Sequence, residues 1–461
     1  MHEDERVAKL ILGPLLRRVT GNEAVIWLQT DAKAEVTVSA GDSQTTVETR
    51  RINGIHLALP VIGNLPEGRT PYEIRLDGEL VWPLPGFPPS TIKPAERDAT
   101  ITFGSCREAS HQAHDALHAF AERALSTPED LPDLLALIGD QIYADEPHRI
   151  STFAEYVQRY HQAWSPPEVR WLLSTVPTVM VFDDHEIMDD WNSSASWLAD
   201  QQSDPAWEQH LQAGLQSYLL FQHLGNLTPA ELKNQSWDEL PQRWGFTLDI
   251  GATRLVMLDC RGSRVLQGKR RMFPQDEWDR LARDTQYESD HLLIACSLPW
   301  LLAPVIDFGE HVMEQLSVKH GGAMEKLRRK YDLEHWSAVG DSFTELGDII
   351  TAAKTPASVS VLGGDVHHSY VVQALLPARP NVHQVTCSPL NNSVSWVMRT
   401  MLKTAWALPF PNGQVKRKRL TKPYFGNAIA TLTHRGRHAE VMIEGVTAEG
   451  RLAPVSAHRL T

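Results

Sequence analysis

Three hydrophobic runs in this chain end in acids and histidines. Leu134 to Ile138 leads into Gly139-Asp140-Gln141-Ile142-Tyr143. Val179 to Phe182 leads into Asp183-Asp184-His185-Glu186. Val361-Leu362 leads into Gly363-Gly364-Asp365-Val366-His367-His368. Short apolar runs of this kind read as buried strands. An unpaired carboxylate is costly inside such a strand. At its C-terminal end, where loops meet, open α/β sheets build their ligand sites. Three such endings predict a single site, a metal centre of carboxylate oxygens and imidazoles, donors that suit hard cations and phosphate chemistry.

The 461 residues are enough for two or three domains at roughly 150 residues each. The pattern changes near residue 97. Before it, Ala24–Gln29, Ala34–Val38, Thr45–Thr49 and Tyr72–Leu76 alternate as short strands, with Asp77-Gly78 as turn punctuation. This predicts a small β-sandwich over 1–95, with Trp27 as a core anchor. Beyond it, strands at Thr100–Gly104, Thr253–Leu258, His291–Ala295 and Val359–Leu362 alternate with helical stretches. A catalytic α/β domain is expected over 96–461. Its helices are expected over His111 to Leu125, after a capping box at Thr152 and Glu155, and from Asp204-Pro205 to about Leu224. Ala428–Leu432 and Ala439–Ile443 close the pattern as antiparallel strands.

Charge and cysteine usage narrow the function. The net charge is −13, from 44 basic and 57 acidic residues, which opposes a nucleic-acid scaffold role. Cys106, Cys260, Cys296 and Cys387 form no CxxC pair, so reduced thiols in a reducing compartment are expected. The acidic start Met1-His2-Glu3-Asp4-Glu5 lacks the form of an export signal. No apolar run approaches the ~20 residues of a membrane span. The expectation is a cytoplasmic protein.

Hydrolysis of a phosphate ester fits the strand endings. Two cations roughly 3.5–4 Å apart need a bridging carboxylate and terminal ligands on each side. Asp140 is the natural bridge, with Asp184, Asp365 and His367 as terminal ligands. His185 can protonate the leaving oxygen. Tyr143 offers either a phenolate for ferric iron or a packing ring. Cys106, in Gly104-Ser105-Cys106-Arg107, offers either a thiolate ligand or a small buried hydrophobe. Arg107, Arg261 and Arg264 follow strand ends and can clamp phosphate or sit on the surface. Asp145-Glu146 reads as a solvated acid pair or a calcium ligand.

Gly139-Asp140-Gln141-Ile142-Tyr143-Ala144-Asp145, Phe182-Asp183-Asp184-His185-Glu186 and Gly363-Gly364-Asp365-Val366-His367 resemble the blocks of the PhoD-like (alkaline phosphatase D) metallophosphatases. Ser105-Cys106-Arg107 and Leu258-Asp259-Cys260-Arg261 look like two more, in the family's order. The resemblance covers about residues 98 to 445. It implies a four-layer α/β/β/α metallophosphoesterase sandwich and a centre of ferric iron plus a divalent metal, calcium first, with manganese, magnesium or zinc as others. It implies Cys106, Asp140 and Tyr143 on iron, Asp184 on the second metal, Asp365 and His367 as late ligands, and His185, Arg107 and Arg261 as catalytic. The second ending and its continuation Asp189-Asp190-Trp191-Asn192 leave Asp183, Asp190 and Asn192 open as further ligands. The implied substrate is a phosphomonoester or diester.

Two other functions compete: a metal-binding protein without catalysis, and a metallohydrolase of a non-phosphate substrate. Residues 396–419 stand apart, an apolar, tryptophan-bearing stretch followed by Lys416-Arg417-Lys418-Arg419. They read as a helix packed on the sheet and then a basic loop, or as a weak peripheral membrane contact.

Overall fold

The computed structural model describes residues 8–111, 114–320, 322–330, 333–354, 356–408 and 415–461. Its first part is the expected β-sandwich. Strands Leu10–Thr20, Glu23–Thr30, Ile55–Ala58 and Arg50–Ile52 form one sheet. Thr91–Ile92, Thr70–Leu76, Glu35–Ala40 and Ser43–Glu48 form the other. Thr70–Leu76 buries every second residue, the period of a strand with one wet face.

Trp27 is buried, but not between these two sheets. It faces outward from the first sheet into the helices of the second part. Its indole Nε1 donates to the Leu220 carbonyl at 2.8 Å, and its ring meets Trp164 edge-on at 6.4 Å. Beside it Arg17 is fully buried and donates to the Gln222 carbonyl at 2.7 Å. Alternation placed Trp27 on the opposite face from Ile26 and Leu28, and that face belongs to the interface.

Two large sheets follow. One has the order Thr178–Val181, Leu134–Ile138, Ala99–Gly104, Ala428–Arg435, His438–Val446, Leu452–Arg459. Its first three strands are parallel and the later three antiparallel. The other has the order Phe246–Ile250, Thr253–Met257, His291–Ala295, Ser358–Gly363, Arg379–Thr386, Tyr370–Leu376, Arg417–Arg419. The sheets share one core, where Ile101, Phe103, Ala136, Ile138 and Val181 meet Leu255, Met257, Leu293, Leu362 and Val385. Their outer faces are covered by separate helical cores. This is the four-layer α/β/β/α arrangement. Register brings the strand ends level: Gly104 lies beside Leu137, Ile138 beside Val181, and Ala295 beside Leu362.

Two helices depart from expectation, each through local capping chemistry. The first begins at Ala116, because the Asp115 carboxylate accepts from the backbone of Leu117 and His118 and fixes the N-terminus there. The other begins at Trp207. Asp204 Oδ1 accepts from the Ala206 amide at 2.9 Å and holds one more turn before the helix starts. That helix runs to Tyr218, then widens into a π turn over Leu219–His223 and tightens into a 3-10 turn over Leu224–Asn226. The capping box at Thr152 and Glu155 is present. Among the described residues no helix is long and apolar enough to cross a membrane.

Candidate metal centre

The Cys106, Asp140 and Asp365 endings leave their sheets through left-handed residues, and the loop after the Asp183-Asp184 ending holds two more. Cys106, Asp140, Asp365 and His367 have φ of 56°, 53°, 62° and 49°, and Asp190 and Asn192 have 62° and 59°. Such conformations cost a non-glycine residue ~1–3 kcal/mol each and concentrate at functional sites. The preceding glycines make the crowding tolerable. Gly139 has φ 111°, and a Cβ there would lie 2.8 Å from Asp183 Cβ and 2.9 Å from Ser297 Cβ. A Cβ on Gly364 would collide with Ser105.

The endings converge. Carboxylate oxygens of Asp140, Asp183, Asp184 and Asp365 all lie within 4.8 Å of one another, and Asp140, Asp184 and His185 form a second such group. Cys106 and His367 border these groups without belonging to either. The Cys106 thiol is buried, 3.1 Å from the Ser388 hydroxyl and 3.7 Å from the Asp365 carbonyl. Burial, then the Asp140 and Asp365 charges, push the thiol well above its usual range. The Tyr143 ring lies 4.3 Å from the His185 ring, and its hydroxyl accepts from Asn392 Nδ2 at 2.9 Å. His367 is anchored by its amide on the Ser388 hydroxyl at 3.2 Å.

The three arginines are buried and paired within the protein. Arg261 has no exposed side-chain surface. It is in ion contact with Asp183 and Glu334, lies 3.3 Å from Asp184 Oδ1, and lies 3.5 Å from Asp365 Oδ1. Arg107 is buried, with Nε on Asp115 at 2.8 Å and Nη1 on the Ala163 carbonyl at 2.6 Å. Arg264 pairs with Glu334 at 3.1 Å. The guanidinium of Arg261 is the internal counter-charge of the acid cluster. It meets four carboxylates, Asp183, Asp184, Glu334 and Asp365, of which only Glu334 also meets Arg264. Burial, against the pull of Arg261 or His185, raises Asp140 and Asp183 well above the carboxylate range. Asp365 is held below that range: the His335 hydrogen bond and the Arg261 charge outweigh its burial. Asp183 Oδ2 and Asp184 Oδ1 are buried with no hydrogen bond directed at them. Crowded, underneutralised carboxylates with orphan oxygens are the donor set that a hard cation completes.

Several residues around the cluster were passed over or read differently in sequence. Glu186 accepts from the amides of Asp140, Gln141 and Asp183. Asp145, read as a solvated acid, instead pairs with His185 Nδ1 at 2.9 Å and accepts from the Asp189 amide at 2.7 Å. His335 bridges Glu310 at 2.7 Å and Asp365 at 3.1 Å. Asn192 donates to the Arg261 carbonyl at 2.7 Å, and the Asp190 amide donates to Asp184 at 2.8 Å. Glu186 was legible only as the fourth member of Asp-Asp-His-Glu. Asn392 comes from a distant segment and carries no local signal.

The sequence profile described as PhoD-like phosphatase matches residues 101–395, and a domain of unknown function, DUF7800, matches 7–94. A solved structure of PhoD is similar at 13% identity, with a TM-score of 0.69 over 98% of this chain and 88% of that one. The structure of purple acid phosphatase PPD1 isolated from yellow lupin (Lupinus luteus) seeds is similar at 12% identity, with a TM-score of 0.57 over 97% and 73%. Among curated proteins, none matches the chain. The profile spans well over half of the chain and takes in all three endings. This protein belongs to the PhoD-like phosphatase family and is a metal-dependent phosphoester hydrolase.

Proposed function

We propose that Asp140, Asp184 and Asp365 hold the metals, with Asp140 shared between them, and that His185 acts on the leaving group of a phosphomonoester or diester. The observation that carries this is the convergence of four carboxylates within 4.8 Å at the C-terminal strand ends, three of them buried and Asp365 partly exposed. Asp183, which meets the same distance, is added to the donor set. Bound cations supply neutralisation of the phosphoryl oxygens and a water made acidic enough to attack.

The chain's own residues do the positioning. Asp145 fixes the His185 imidazole through Nδ1, leaving Nε2 as the atom that hands a proton to the departing oxygen. Arg261 spaces Asp183, Asp184 and Asp365 and offsets part of their repulsion, so it is a positioning residue. Arg107 ties the Cys106 turn to Asp115 and plays the same kind of part.

Ferric iron with calcium is the pair we favour. A phenol and a thiol border the carboxylates, donors that suit a ferric ion, and the electrostatic neighbours of Tyr143 include Asp140 and Cys106. His367 completes the late end of the site. A cytoplasmic location fits four free, buried cysteines. Residues 396–419 are the segment for peripheral membrane contact, with 409–414 outside the described residues.

Elemental analysis of purified protein, with assays on monoester and diester substrates, tests the reading. Asp140→Asn should lose metal and turnover together, and full activity there would sink it. His185→Ala should keep metal and lose rate.

A further inference from the structure

The helix Trp396–Ala407 begins one residue beyond the segment that the family profile matches. Its polarity is inverted for a surface helix. Trp396 is 78% exposed, Val397 47%, Met398 48%, Met401 56% and, at the cap, Leu408 48%. At about 100° per residue, Val397, Met401 and Leu408 share one face with Thr400 and Thr404. That face points to solvent, because Trp406 is the helix's buried residue and lies on the other side. Both threonines turn their hydroxyls back into the helix, onto the carbonyls of Trp396 at 2.7 Å and Thr400 at 2.9 Å. The outer face is therefore more apolar than its composition.

This is a fixed element. Trp406 Nε1 donates to His368 Nε2 at 3.0 Å, and Arg419 Nη1 donates to the Trp406 carbonyl at 2.6 Å. Cations frame it. Arg399 and Lys403 lie over the Phe425 ring at 5.5 and 5.8 Å, at the flank of the apolar face. Lys416, Lys418, Arg419 and Lys422 are exposed on the neighbouring strand and its exit. No aspartate or glutamate occurs between Asp365 and Glu440, in a chain whose net charge is −13.

We propose that this helix and its basic flank dock the protein on an anionic lipid bilayer. The apolar face enters the acyl boundary while the cations meet headgroup phosphates, the arrangement of interfacial helices. Charge favours this occupant over a second copy of the chain. A two-fold contact sets the same patch against itself, so cations would face cations. The placement has a consequence. Asn392, four residues before Trp396, donates to the Tyr143 hydroxyl at 2.9 Å, so a short segment joins the docking helix to the metal centre. The docking itself is independent of the ester chemistry.

Flotation with vesicles of equal parts phosphatidylglycerol and phosphatidylcholine tests it, against phosphatidylcholine alone. The full chain should bind the anionic vesicles at low salt, bind neutral ones weakly, and be released by high salt. Trp396→Ser with Met401→Ser should weaken binding about tenfold or more. Lys416→Gln and Lys418→Gln should each weaken it about fivefold. Turnover of a soluble phosphoester and the melting temperature should not change. Absence of binding to anionic vesicles at low salt overturns the proposal, as does full binding by the Trp396→Ser/Met401→Ser variant. Concentration-dependent self-association that this variant abolishes, without vesicle binding, reassigns the face to a contact between copies.

Discussion

The Glu186 carboxylate holds the Asp140 backbone in its left-handed turn, with the Asp140 amide 3.0 Å from Oε2. The same carboxylate accepts from Gln141 N at 2.7 Å, Asp183 N at 2.8 Å and Gln222 Nε2 at 3.0 Å. One side chain thus fixes two strand endings together. Glu186→Gln would turn an amide NH2 toward these donors and leave at least one unsatisfied. Metal affinity should fall roughly 10–100-fold, the usual cost of losing a residue that orients ligands. Titration of metal-stripped protein, followed by calorimetry, reads this directly. Unchanged affinity would mean that the turns hold without Glu186.

Asp145 and His185 make a separable test. Asp145 touches His185 Nδ1 and the Asp189 amide, and belongs to neither carboxylate group. Asp145→Asn should lower kcat about 10–100-fold with metal content unchanged, since it loosens the imidazole without removing a ligand. KM should move far less than kcat. Loss of metal in this variant would place Asp145 among the ligands instead.

The three endings were readable because burial and acidity conflict within a few consecutive residues, a conflict visible at Gly139-Asp140 and Gly364-Asp365 without any structure. Strand and helix alternation gave α/β layers, and the family resemblance implied that there are four. What stayed hidden depends on distance. For Arg261, sequence does not reveal that Glu334 lies against it, 73 positions on. Trp27 looked like a sandwich core residue because alternation tells which residues share a face, not what covers it. Asp145 looked solvated because its partner is 40 positions away. The inverted polarity of the Trp396 helix was half legible: its apolar content showed, its outward direction did not.

Gly139 tests how tightly the endings are packed. Its φ of 111° is outside what L side chains adopt, and an added Cβ would meet the Cβ atoms of Asp183 and Ser297 below 3 Å. Neither neighbour is free to move: Asp183 is tied to Arg261 and Glu186, while the Ser297 hydroxyl lies 3.0 Å from the Cys260 thiol and its carbonyl accepts from the Gly364 amide at 2.6 Å. Gly139→Ala should therefore cost about 3–5 kcal/mol from backbone strain and overpacking together. Urea unfolding at neutral pH measures it. A loss below 1 kcal/mol, as for a surface change, would show that the turn relaxes freely.

The far end of the sandwich carries a pH dependence of its own. His434, on the six-stranded sheet, stacks at 4.2 Å on His291 of the seven-stranded sheet. It also contacts the Thr253 hydroxyl at 2.8 Å. Burial, then repulsion from His291, lowers His434 to about 3. His291 is lowered too, mainly by burial. A histidine depressed in the folded state binds its proton sooner when unfolded. Its contribution is complete above the unfolded value of ~6.5 and is lost as pH falls from there toward 3. Stability should therefore drop by about 1.4 kcal/mol per pH unit below 6 from His434 alone. Urea unfolding between pH 7 and 5 measures the slope, and His434→Gln should flatten it. An equal slope in that variant would assign the acid sensitivity to other groups.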